Sequence, residues 1–65
     1  MIFKINDPVR LLIDLPEEAL SKGAVGVVVM KHAEPEEAYE VEFCNEKGET
    51  IAQAALRPSQ IALAQ

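Results

Sequence analysis

The chain has 65 residues, with eleven acidic side chains against six basic ones and a net charge of −5. That length holds one domain around one core, which buries only about 60% of the surface the unfolded chain exposes. Cys44 is the single cysteine, so an internal disulfide and a cysteine-built metal site are both excluded.

The six cations, Lys4, Arg10, Lys22, Lys31, Lys47 and Arg57, are scattered singly along the chain. Nucleic-acid binding draws on clustered Lys and Arg that release phosphate counterions, so no nucleic-acid partner and no anionic membrane surface is expected. The acidic excess serves solubility, or it meets a basic partner protein. The apolar run Val27–Met30 is far shorter than the roughly 20 residues that span a bilayer. Lys4 is followed by Asn6, Asp7 and Pro8 rather than by an apolar signal segment. With one cysteine and no such segment, a cytoplasmic protein is the expectation.

In chain order, Val9–Ile13 follows Asp7 and Pro8 and reads as a short strand, because proline suits a strand's first residue. From Asp14 to Gly23 the sequence predicts a long ordered loop containing one helical turn. Asp14 is its candidate cap, Pro16 lies in the first turn with Glu17 and Glu18, and Gly23 closes it in the left-handed conformation. Leu15 and Leu20 should pin this loop to the core. Gly23-Ala24-Val25-Gly26 reads as a tight turn. Val27–Met30 behind it does not alternate with polar residues, which predicts a strand buried on much of both faces.

Lys31–Glu37 reads as a polar loop. Ala38–Phe43 then alternates cleanly, with Tyr39, Val41 and Phe43 on one side and Glu40 and Glu42 on the other, the period of a half-buried strand. Asn45–Gly48 fits a type I turn with Gly48 at a left-handed position. Thr50–Leu56 is the expected partner strand, Arg57–Gln60 a single 3₁₀ turn around Pro58, and Ile61–Leu63 a last short strand. A helix over Ala52–Ala64 competes for the C-terminal part, but Pro58 lies in its middle. Pro-Glu-Glu-Ala recurs at 16–19 and 35–38 with unmatched flanks and reads as coincidence. The whole pattern is an all-β chain of five short strands forming one small barrel over 1–65.

Asp7, Val9, Leu12, Asp14-Leu15-Pro16-Glu17, Leu20, Gly23, Gly26-Val27-Val28-Val29, Tyr39-Glu40-Val41-Glu42-Phe43, Gly48, Thr50 and Leu56 stand in an order and spacing that covers nearly the whole chain. In these features the sequence resembles a family of short bacterial proteins catalogued as domain of unknown function 4926. The resemblance implies an SH3-like barrel without an assigned activity. Its members' place in small gene cassettes implies an antitoxin-like or immunity-like role. It supplies no catalytic or binding residues.

No constellation for catalysis stands out. His32 is the lone histidine and, in a glutamate-rich loop, reads as a solvated surface residue rather than as a general base, which needs an orienting partner. Cys44 has acidic neighbours, where a reactive thiolate wants electropositive ones. Glu34, Glu36 and Glu37 lack the Asp-x-Asp-x-Gly frame of a calcium loop. Gly23–Gly26 leads into a strand with no following lysine, unlike a phosphate cradle. Phe3, Tyr39 and Phe43 are the only aromatics, too few for the groove that reads proline-rich peptides.

The expectation is therefore a non-catalytic protein-binding module with no cofactor and no metal. Asp14, Glu17 and Glu18 are its candidate contacts with a basic partner. Two alternatives are a homo-oligomeric assembly subunit that pairs through the edge at Ile61–Ala64, and a small metal protein or enzyme.

Overall fold

The computed structural model describes residues 2–64. Five strands form one antiparallel sheet: β1 (Pro8–Leu11), β2 (Val25–His32), β3 (Ala38–Cys44), β4 (Thr50–Leu56) and β5 (Ile61–Leu63). Their order across the sheet is β4-β3-β2-β1-β5. The first four strands follow one another as a meander, and β5 returns to pair with β1. The expected all-β, barrel-like fold is present, with its one long loop after the first strand and a 3₁₀ turn, Pro58–Gln60, before the last.

One face of this sheet carries the core. Val9 and Leu11 of β1, Val28 of β2, Tyr39, Val41 and Phe43 of β3, Ala52 and Leu56 of β4, and Ile61 of β5 are buried, joined by Phe3 from the N-terminal segment. The alternation read from Ala38–Phe43 therefore holds, with Glu40 and Glu42 on the opposite face. All three aromatic rings lie in this core, so none lines a surface groove.

Phe3 anchors there through Tyr39. The two rings meet edge to face at 5.2 Å and 85°. The Phe3 amide donates to the Tyr39 hydroxyl at 3.2 Å, and that hydroxyl donates to Glu37 Oε2 at 2.6 Å. The chain then turns through Asn6, at φ 76°. The Asn6 amide donates to the Val28 carbonyl at 2.7 Å and the Val28 amide to the Asp7 carbonyl at 3.0 Å, which carries the chain from this turn onto the β2 edge.

Strand β2 departs from the sequence reading in three ways. It starts at Val25, so the tight turn ends before Gly26, and it runs on to His32, which lies at a strand end rather than in a loop. It is also not buried on both faces: Val25 is 55% and Met30 52% exposed, and Val27 and Val29 are exposed as well. The inward positions belong to Gly26 and Val28. Val29 is the extra residue of a bulge between Val28 and Met30, and beyond it Met30 points outward opposite Glu40. Gly26 holds its place because β3 comes close. A Cβ there would sit 2.7 Å from the Glu42 carbonyl oxygen and 2.8 Å from the Phe43 ring.

The long loop is also built differently at its ends. Its helical element is a 3₁₀ turn over Pro16–Glu18 that follows Leu15, with no side-chain cap, and Ala19 rather than Gly23 takes the left-handed closing position. Asp14 instead accepts the Lys22 amide at 2.7 Å across the loop. A Leu15–Leu20 bridge closes the tip, and both leucines pack on the core as expected. Gly23, at φ +97°, forms a second turn, where its amide reaches the Leu11 carbonyl at 2.9 Å.

Candidate partner-binding surface

The outward face of the sheet follows from the strand registers. Pro8 stands opposite Val27 and Arg10 opposite Val25 between β1 and β2. Val27 stands opposite Glu42 and Met30 opposite Glu40 between β2 and β3. On the far side, Glu40 pairs with Ala55 and Glu42 with Gln53 of β4. Val25, Val27 and Met30 thus form an exposed apolar row along the middle strand, with two glutamates beside it. Among the described residues no element lies over this row.

The charges around the row are distributed unevenly. Arg10 turns toward β5, where its Nη1 donates to the Leu63 carbonyl at 3.0 Å. Glu40 is shared: His32 Nε2 lies 3.3 Å from its Oε2, and Gln53 Nε2 donates to its Oε1 at 3.3 Å. Glu42 is half-buried beside Val27. Among the described residues its carboxylate has no hydrogen-bond or ion-pair partner. The row is therefore apolar along β2 and acidic along β3.

The residues singled out from the sequence divide by role. Asp14 spends one carboxylate oxygen on the Lys22 amide, so it fastens the loop. Glu17 and Glu18 are exposed on the 3₁₀ turn. Cys44 is free and exposed. It borders a shallow depression at the β3–β4 hairpin with Asn45, Glu46, Lys47 and Glu49. That depression belongs to the turn itself, because Asn45 Oδ1 accepts the amides of Lys47 at 2.9 Å and Glu49 at 3.0 Å. Among the described residues no group of three or more His, Cys, Asp or Glu side chains stands in metal-ligating range, and no helix is long and apolar enough to cross a membrane.

Sequence reasoning missed the outer row because the valine run resembles a strand buried on both faces. The signal was nonetheless present. Gly26 between Val25 and Val27 marks the inward position, since a strand packed tightly against its neighbour tolerates only glycine there.

The fold and this surface define a small all-β domain with one packed and one open sheet face. The model of domain of unknown function 4926 matches residues 5–63, and the chain belongs to that family. No curated protein and no solved structure matches the chain.

Proposed function

We propose that this chain is a non-catalytic protein-binding module of the antitoxin or immunity kind, serving a separately encoded, intracellular protein. The observation that carries the reading is the exposed row Val25, Val27 and Met30 beside the Glu42 carboxylate, which has no partner among the described residues. Exposed apolar side chains gathered on one sheet face are a docking surface for a complementary protein. The acidic flank selects one whose apolar contact is bordered by Lys or Arg. The net charge of −5 supports the same choice, because it draws a basic partner in by long-range attraction. Glu17 and Glu18, exposed and with carboxylates that meet no polar partner among the described residues, add to that field.

The test is calorimetry of the purified chain against the separately purified product of each adjacent gene. One product should bind in the micromolar range or tighter, and Val27→Lys should abolish that binding by setting a cation where the partner carries its own. If no neighbouring product binds, or if Val27→Lys binds as tightly as the parent, the reading is wrong.

A further inference from the structure

Strand β2 lies inside the sheet, between β1 and β3, so both sides of its backbone are already paired. A molecule docking on its outer row reaches side chains only, and strand addition is closed to it. The row is also one strand wide. Beside it stand Glu42 and Glu40 on β3, and Pro8 and Arg10 on β1. A second sheet packed face to face would cover several strands and bury these carboxylates among apolar side chains. A helix presents one narrow apolar stripe between polar flanks.

We propose, resting on the partner-binding reading above, that the row receives an amphipathic helix of a separate protein. The helix lies along β2 with Lys or Arg on the flank that faces β3. The spacing agrees. Glu42 lies opposite Val27 and Glu40 opposite Met30, so the extra residue Val29 keeps Val25, Val27 and Met30 two strand steps apart. Three such anchors span about 13 Å. A helix sets three apolar side chains at i, i+4 and i+8 over about 12 Å.

The charges choose the flank and its anchor. Glu40 is held by its own chain, through His32 Nε2 and Gln53 Nε2, each at 3.3 Å. Glu42 stands between Val27 and Gln53, and Gln53 turns its amide to Glu40 instead. Among the described residues the Glu42 carboxylate thus has no partner, about 5 Å to the side of the row, one strand spacing away. A Lys or Arg stem on the helix flank covers that distance along apolar surface and sets its charged head on the carboxylate. Arg10 stands on the β1 side, so the two flanks differ in sign. A second copy is a poor occupant. It repeats the net charge of −5, and its helical elements among the described residues are two 3₁₀ turns of three residues each.

The experiment titrates the isotope-labelled chain with synthetic peptides and follows its amide and methyl resonances. The probe is a capped, alanine-based peptide of roughly 18 residues, long enough to be helical in water. It carries leucines at i, i+4 and i+8 and lysines along one flank. A second peptide replaces the lysines with glutamine, and a third sets a proline in the middle of the helix. The lysine helix should shift the resonances of Val25, Val27, Met30 and Glu42, with submillimolar affinity. The glutamine helix should bind about two- to fivefold more weakly, the worth of one exposed ion pair. The proline peptide should not bind. Glu42→Gln should remove most of the preference for lysine while Glu17→Gln keeps it, and Val27→Lys should abolish binding. The amide spectrum of each variant shows that it is folded.

No shift with the lysine helix at millimolar concentration overturns the proposal, as do shifts that lie off the row. So does a proline peptide that binds equally, or a Glu42→Gln variant no different from Glu17→Gln. No adjacent-gene product enters this titration, so the two readings fail separately. A product that binds through Val27 while the lysine helix does not leaves the partner reading standing and overturns the helix. A lysine helix that binds where no adjacent product does upholds the helix and removes the antitoxin reading.

Discussion

The Tyr39 hydroxyl donates to Glu37 Oε2 at 2.6 Å while it accepts the Phe3 amide, so one phenol ties the N-terminal segment and the β2–β3 loop to the core. Tyr39→Phe keeps the ring and leaves the Phe3 amide without this acceptor. A buried donor left unpaired costs about 1–3 kcal/mol, a loss that urea unfolding followed by circular dichroism will register.

The same phenol gives the chain an alkaline limit. Burial, reinforced by the hydrogen bond to the Glu37 carboxylate, raises the Tyr39 pKa above its ordinary value of 10.0. The unfolded chain then loses its phenolic proton at a lower pH than the folded one. Stability is unaffected well below pH 10 and falls as pH rises through it, because the native state holds the proton that the unfolded state releases. Tyr39→Phe should show a shallower decline over the same range, measured by urea unfolding at a series of alkaline pH values. Since Tyr39 is the sole tyrosine and there is no tryptophan, its ultraviolet absorbance reports the ionisation directly.

Gly26→Ala should be the most damaging glycine substitution. Its new methyl meets backbone and core side chains at 2.7 and 2.8 Å, so β2 and β3 must separate or shift. Overpacking of this kind typically costs about 1–3 kcal/mol. Gly23→Ala has open space around its Cβ and suffers only from its positive φ, a smaller loss of about 1 kcal/mol. Thermal melts of the two variants should rank in that order.

Within the long loop, stability and surface charge should separate. Asp14→Ala frees the Lys22 amide and should cost about 1 kcal/mol by urea unfolding. The Glu17 and Glu18 carboxylates meet no polar partner among the described residues, so Glu17→Gln and Glu18→Gln should stay within about 0.5 kcal/mol of the parent.

The sequence disclosed the elements well and the open face poorly, for one physical reason. Strict alternation in Ala38–Phe43, the turn at Asn45–Gly48, where the Gly48 amide reaches the Asn45 carbonyl at 3.0 Å, and Pro58 are local signals, and each element formed where its residues place it. What covers a strand is not local. Val27-Val28-Val29 reads equally as a doubly buried strand and as a half-buried one with a bulge, and only the missing layer over β2 decides between them. The cap misassigned to Asp14 has a similar origin. An aspartate before a proline turn fits a cap, but its carboxylate also reaches across a loop pinched by the Leu15–Leu20 bridge, a contact between positions eight residues apart.

The outer row is the centre of the functional account, and one comparison tests it most directly. Val27→Lys and the parent, shown by thermal melts to be comparably stable, are titrated in a calorimeter against the adjacent-gene product that binds the parent. The account predicts that the heat of binding disappears with Val27→Lys while the variant stays folded. Equal affinity of variant and parent for that product would contradict it.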